Sequence, residues 1–389
     1  MQDNGLDTEE DRFKDIFKYY KRKKPPPDRS LVIDVNEDFK GGRQIPPCFI
    51  TEKDQELAQE IGLLLPSSWK IYSINSHPGL LIICNPFTCQ GQLHWIKRCL
   101  KEFPCATNKT NLASHGIQLK DSTWWQLTRM TEGRESGLQK KLRWVTLGYH
   151  HNWDTKEYSE DLRGEMPPSL VKLCSVVSKV LGFEEFRAEA AIINYYHQDS
   201  TLAAHTDHSE PYDAAPLFSF SFGQSAVFLI GGPTKATKPS AIHLHSGDVM
   251  VMTGTSRQAY HAVPRIVQVE EEPWNAEQIK QDECEGKVDI SDNQESTIIW
   301  NNDVGASGSS EGSVSKVVIL NEECLVKEST CNKNFVFNKD KTVSHVKRRK
   351  CEDVSNSSDI VDLLNYVKSN RINMNVRQVL MPSMHSLPR

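Results

Sequence analysis

The chain has 389 residues, 38% hydrophobic and 25% charged, with a formal net charge of −5. Such a length buries a sizeable core in one large domain or two ordinary ones, and the composition excludes collagen and wholesale disorder. No apolar run approaches the ~20 residues of a membrane-spanning helix, so a soluble protein with no membrane partner is expected.

Met1 to Glu10 holds no apolar h-region, so no secretory signal is expected there, and its acidity is wrong for an Arg-rich mitochondrial presequence. Thr8 is the predicted cap of a first helix that carries Glu9, Glu10 and Asp11 in its opening turn. Phe13, Ile16, Phe17 and Tyr20 then fall on one apolar stripe, and Lys21 to Lys24 with Pro25-Pro26-Pro27 end the helix. Two more helices are predicted over 92–100 and 169–181. From Ala190 the texture changes to short β-type runs: 190–196, 217–230, 241–245, 248–253 and 371–380. Gly231-Gly232-Pro233 and Ser246-Gly247 supply turns. Helices first and an antiparallel β core after them predict an α+β fold. Between Glu270 and Asp340, 16 acidic residues face 6 basic ones, a net of −10, so the rest of the chain sums to +5. With its Ser, Asn and Gly content this stretch reads as a long disordered insertion, ending near Lys347-Arg348-Arg349-Lys350. If the final strand joins the same sheet as the others, the insertion must loop out and return. The ten cysteines form no C-x-x-C pair, which leaves zinc ribbons and redox dithiols without support and points to free thiols in a reducing compartment.

Two constellations carry chemistry. In TLAAHTDHSE (201–210), His205 and Asp207 share one face of an extended chain. An imidazole and a carboxylate on one side, joined by a second His, make the facial triad of non-haem Fe(II) oxygenases, which leaves coordination positions open. His261, in Tyr260-His261-Ala262-Val263-Pro264, is the candidate for the second His, with His208, His243 and His245 as competitors. A histidine and an aspartate two apart also occur as a plain turn or cap. The second constellation is RINMNVR (371–377), which puts Arg371, Asn373, Asn375 and Arg377 on one face and Ile372, Met374 and Val376 on the other. Guanidinium forks bind carboxylates bidentately. Upstream, Asn194 and Tyr196 share a face of another strand, so a dicarboxylic acid is a fitting ligand; a solvated sheet face is the plain alternative.

The ordered set N-x-Y, H-x-D, a distant H and R-x-N-x-N-x-R resembles the AlkB family of Fe(II)/2-oxoglutarate dioxygenases, in its eukaryotic AlkB homologue 1 type. LFSFSFGQSAVF (217–228), HSGDVM (245–250), LRWVT (142–146) and FRAEA (186–190) share the resemblance, which spans roughly Phe13 to Pro264 and Val361 to Leu380. It implies a double-stranded β-helix (jelly-roll) core over 161–266 and 359–382. An N-terminal helical extension and entry to the core would occupy 1–110 and a nucleotide-recognition lid 111–160. The acidic insertion would take 267–358 and a short tail 383–389. By resemblance His205, Asp207 and His261 ligate Fe(II). Asn194, Tyr195, Tyr196, Arg371, Asn373 and Arg377 hold 2-oxoglutarate, Arg371 on its distal carboxylate, and O2 is the other cosubstrate. Trp125 (or its neighbour Trp124), Tyr149, His150 and His151 contact the base. No catalytic residue is expected beyond the metal centre. The implied reaction decarboxylates 2-oxoglutarate to succinate and oxidises a methyl group on a base that has left its stack. The expected partner is nucleic acid, tRNA first (1-methyladenosine demethylation, 5-methylcytidine oxidation) and N6-methyladenine in DNA second. A protein or histone demethylase with the same iron centre and a non-catalytic scaffold are the alternatives. A monomer is expected, in the nucleus through the 347–350 run, with mitochondrial and cytoplasmic pools left open.

Overall fold

Residues 10–37, 39–130, 137–269 and 357–387 are described by a computed structural model. Thr8, the acidic stretch 270–340 and the basic run 347–350 lie outside the described residues. The first helix, α1 (Arg12–Lys21), is capped by Asp11, whose carboxylate accepts from the Lys14 N–H. Its stripe is real: Phe13 and Tyr20 are buried, and the helix packs against Val227, Leu229, Ala241 and Ala262.

The chain before Ala190 is richer in strands than its sequence suggests. After α1 come β1 (Gly42–Ile45), α2 (Glu52–Glu60), β2 (Lys70–Ile74), β3 (Leu80–Cys84) and α3 (Cys89–Lys97). Then follow β4 (Lys109–Thr110), α4 (Trp124–Arg129), β5 (Trp144–Asn152), β6 (Glu157–Arg163) and α5 (Pro168–Val180). The 1–110 segment is therefore not only helical. The strands that follow are β7 (Ala190–His197), β8 (Leu202–His205), β9 (Leu217–Gly223), β10 (Ser225–Ile230), β11 (Ser240–Leu244), β12 (Val249–Met252) and β13 (His261–Val267), of which β8 and β13 are not among the runs expected from the sequence. The predicted run 217–230 is two strands, broken at Gly223 and Gln224. A last helix, α6 (Ser357–Val367), leads into β14 (Asn370–Arg377).

These strands form two antiparallel sheets. The larger has the order β1-β2-β3-β12-β9-β14-β7-β5-β4, with β6 pairing off β5; the smaller has the order β11-β10-β13-β8. β14 is thus central, hydrogen-bonded along its length to β7 on one side and β9 on the other. Alternation decides what each face carries. In β9, Phe218, Phe220 and Phe222 enter the core shared with α3, α4, α5 and α6, as do Ile372, Met374 and Val376 of β14. The opposite face of the larger sheet meets the smaller one across a second core that includes Ile82, Leu217, Met250, Phe228 and Leu244. Moving through the molecule, the layers are α1, smaller sheet, larger sheet and the remaining helices. Burial of each apolar face drives this order, at roughly 25 cal/mol per Å2 of surface removed from water.

Candidate active site

A cavity of about 420 Å3 opens between the two sheets, and its wall includes His205, Asp207, His261, Arg371 and Arg377. His205 and His261 are register partners across β8 and β13, so the sheet itself sets their rings 4.3 Å apart. Asp207 follows β8, with its carboxylate 4.0 Å from His205 Nε2 and 3.8 Å from His261 Nε2. The three ligand atoms all lie within 4.8 Å of one another. His208 lines the cavity but is outside this triad; His243 and His245 do not line it.

The environment prepares the triad for a metal. His205 Nδ1 donates to Ala203 O at 2.9 Å and His261 Nδ1 to Ala259 O at 3.0 Å, which fixes both rings with Nε2 facing Asp207. Burial pushes the His261 imidazole down to about 4, so it is neutral at ordinary pH, as a ligand must be. Burial works against the Asp207 carboxylate, but the Arg377 guanidinium beside it, with His261 and His205, holds it well below the usual carboxylate range. Two imidazoles and a carboxylate with open positions suit iron(II).

A buried ion cluster braces the segment after Asp207. Arg377 Nη2 lies 3.0 Å from Asp207 Oδ2, and its Nε lies 3.2 Å from Glu210 Oε1. Arg257 donates to Glu210 Oε2 at 2.9 Å and to the Asp207 carbonyl at 2.8 Å, and the Tyr158 phenol donates to Glu210 Oε1 at 2.9 Å. Glu210, Arg257 and Tyr158 escape sequence reasoning. A lone carboxylate in a Ser/Pro/Asp loop has no periodicity to mark it, and its partners are distant in sequence.

The polar face of β14 lines the cavity: Arg371, Asn373, Asn375 and Arg377 all reach it, with Asn194 and Tyr196 from β7 beside them. Arg371 is 2% exposed; its Nη1 donates to Gln224 O at 3.0 Å and Leu244 O at 3.2 Å, its Nη2 to Ser221 Oγ at 2.7 Å. Its Nε has no partner, and no ion-pair partner is present among the described residues. Burial lowers this guanidinium to about 10, still charged at neutral pH. A sealed, charged fork without an anion fits a ligand carboxylate. Asn373 spends its Nδ2 on Ser219 Oγ and Phe220 O. Tyr196, raised by burial to about 12, stays a phenol donor. Tyr195 is different: it points to the other face of β7, where its phenol donates to the Cys99 carbonyl within the helical core. The strand alternation that brings Asn194 and Tyr196 to the cavity takes Tyr195 away from it.

Of the predicted base contacts, the structure brings one to the cavity. His151 lines it, stacked edge-on against Trp153 and tilted against Tyr158, both also on its wall. Tyr149 is buried against Ala190, Val379 and Leu380 and donates to Glu160. His150 is buried, bonded to Thr146 Oγ1 at 2.7 Å, and pushed down by burial to about 4. Trp125 packs in the helical core with Trp124 and Tyr366. The reason is a bend at Gly148. Up to that residue β5 pairs with β7; beyond it β5 pairs only with β6, and the two strands leave the sheet as a hairpin. Gly148 takes φ +67, and a Cβ there would lie 2.2 Å from Glu189 O, so glycine is required.

A His-Asp-His triad and an anion-seeking arginine, held between two antiparallel sheets consistent with a jelly roll, define an iron(II)- and 2-oxoglutarate-dependent oxygenase. The chain belongs to the 2OG-Fe(II) oxygenase superfamily, whose family model matches residues 79–286, and within it to the AlkB family. It is 39% identical to the Nucleic acid dioxygenase ALKBH1 of Mus musculus, over 68% of this chain and 72% of that one. It is 36% identical to the tRNA demethylase abh1 of Schizosaccharomyces pombe, over 62% of this chain and 80% of that one. With the DNA N(6)-methyladenine demethylase ALKBH1A of Arabidopsis thaliana it shares 29% identity, over 64% and 79% respectively.

Proposed function

We propose that this oxygenase removes or oxidises methyl groups on bases of nucleic acid, with tRNA as the main substrate and N6-methyladenine in DNA as a second. The observation that carries this reading is the ring cluster at the cavity mouth. His151, Trp153 and Tyr158 stand on the hairpin that borders the metal triad, and Trp153 is 52% exposed. An exposed aromatic face with two further rings behind it, next to the cavity that holds the triad, suits a base taken out of its stack. The hairpin, 149–163, would then be the nucleotide-recognition lid, narrower than the 111–160 expected from the sequence. The relatives named as acting on tRNA and on DNA support the same reading.

His205, Asp207 and His261 would hold Fe(II). Arg371 would take the distal carboxylate of 2-oxoglutarate, with Tyr196 and Asn194 along its path. Bound together, metal, cosubstrate and O2 supply the oxidising equivalents for methyl hydroxylation. The chain's own part is positional. Ala203 and Ala259 carbonyls aim the two imidazoles. Arg377, itself held by Glu210, fixes Asp207, and the hairpin adds His151, Trp153 and Tyr158 to the cavity wall. No side chain is needed as a general base.

Methylated tRNA and DNA oligonucleotides, incubated with the protein, iron(II) and 2-oxoglutarate and then analysed by nucleoside mass spectrometry, test this. Loss or oxidation of a methylated base matched by succinate is expected, and Asp207→Ala should abolish both while the fold persists. Succinate production with every base unchanged would overturn the substrate class; full activity in Asp207→Ala would overturn the metal site. We place the protein in the nucleus on the strength of Lys347-Arg348-Arg349-Lys350. Neutralising the run should reduce nuclear accumulation, and unchanged localisation would remove that basis.

A further inference from the structure

Three ligand groups outside the cavity converge at the edge of the smaller sheet. Asp34 follows α1 in the chain; His243 is in β11 and His245 just beyond it. His245 Nε2 lies 2.7 Å from Asp34 Oδ2, and His243 Nδ1 lies 3.3 Å from the same oxygen. The three ligand atoms all lie within 4.8 Å of one another.

The cluster is built, not incidental. A parallel bridge joins Ile33 to Ile242, with Ile33 N donating to Ala241 O at 2.9 Å and His243 N donating to Ile33 O at 2.8 Å. That bridge fixes Asp34 alongside His243. Asp34 Oδ1 accepts from the Asn36 N–H at 3.0 Å, which leaves Oδ2 for the imidazoles. His245 Nδ1 is bonded to Ser225 Oγ at 3.0 Å, which turns its Nε2 toward Asp34. Metal-binding histidines and carboxylates are commonly oriented in this way by partners on their far side. Hydrogen bonding alone satisfies the cluster poorly. Both imidazoles must converge on one oxygen, and His243 Nε2 is left buried without a partner.

We propose that Asp34, His243 and His245 form a second metal site, distinct from the iron triad, for a divalent transition-metal ion of the zinc class. Two imidazole nitrogens and one carboxylate oxygen provide three of the four tetrahedral positions that zinc favours, with water in the fourth. The His245 side chain is 31% exposed, which gives an ion a way in. A bound ion would reinforce the bridge that already joins the segment after α1 to β11, the strand that ends the smaller sheet.

The test is zinc stoichiometry. Metal-free protein is loaded with Zn(II), passed through gel filtration and assayed by mass spectrometry for metal per chain. The native protein should retain one more zinc than the His243→Asn/His245→Asn variant. A His205→Ala/Asp207→Ala variant should still retain the cluster's zinc, and should lose it when the His243 and His245 substitutions are added. Asp34→Asn, the least disruptive change, should weaken zinc binding at least tenfold in the triad-deficient background. Equal zinc in the native and cluster-deficient proteins would overturn the proposal and leave an Asp–His hydrogen-bonded cluster only. Should the histidine variants fail to fold, Co(II) added to the triad-deficient protein decides the matter. Tetrahedral cobalt absorption is expected, and its absence would overturn the proposal equally.

Discussion

Arg371 is a cation sealed behind neutral acceptors, and its worth depends on what completes it. Its fork is fixed by Gln224 O, Leu244 O and Ser221 Oγ before any ligand arrives. A lysine there keeps the charge but loses the two parallel donors. Arg371→Lys should raise the KM for 2-oxoglutarate by about tenfold or more, with smaller change in kcat; steady-state succinate assays measure it, and an unchanged KM would move the cosubstrate elsewhere. His150 makes a different point: a histidine in a recognition-like sequence is structural here. Burial lowers its folded-state value to about 4, so from pH 6.5 down to 4 the unfolded chain takes up a proton that the folded one does not. Stability therefore falls as pH falls through that window, by about 3 kcal/mol for this group. Thermal melts of His150→Asn should show a shallower decline between those pH values than the native protein. The His205–Asp207 pair and the arginine strand were legible at this scale because alternate positions carry their pattern in seven to ten letters; His261 lies far along the chain and was one of four candidates until the family resemblance singled it out. Glu210 and Arg257 were not, because each acquires its meaning from a partner that only the fold supplies.

At the scale of elements, the hairpin of β5 and β6 is where sequence and structure diverge most. Read as a strand of the lid, Trp144 to Asp154 offers Tyr149, His150 and His151 together; the bend at Gly148 sends the first two inward and leaves His151 and Trp153 at the cavity. A one-residue change in register reverses every side chain beyond it, and no composition rule reports such a change. Trp153→Ala should therefore raise the KM for methylated oligonucleotides several-fold while leaving succinate release in the absence of nucleic acid unchanged. Intact activity in this variant would favour a protein substrate over a base. The early strands were missed for a plainer reason. LLIIC in β3 is a short apolar run buried within a sheet, and periodicity cannot tell it from a piece of buried helix.

Over the whole molecule, two sheets and two helical layers are tied together by β14. Because β14 bonds to β7 and β9 along its length, its amides should exchange with solvent only through global unfolding. Hydrogen exchange resolved to single residues should place Ile372, Met374 and Val376 among the slowest amides, well behind those of α1. Faster exchange in β14 than in α1 would mean that the larger sheet opens locally at its centre. The α+β class could be read from the sequence, and the return of the last strand to the sheet only as a condition on where the insertion must go. The strand's central position could not, since nothing in RINMNVR says which neighbours it will find.

That placement also has a consequence in time. A ribosome makes β9 by residue 223 and reaches β14 only at residue 370. From residue 261 onward a nascent chain contains His205, Asp207 and His261, while β7 and β9 still lack the strand that joins them. Until β14 is made, the cavity lacks Arg371 and Arg377 and the polar wall they share with Asn373 and Asn375. The cavity is complete only when its final strand has been translated and docked, so the order of synthesis leaves the potential metal ligands waiting, for more than a hundred residues, for the wall that faces them.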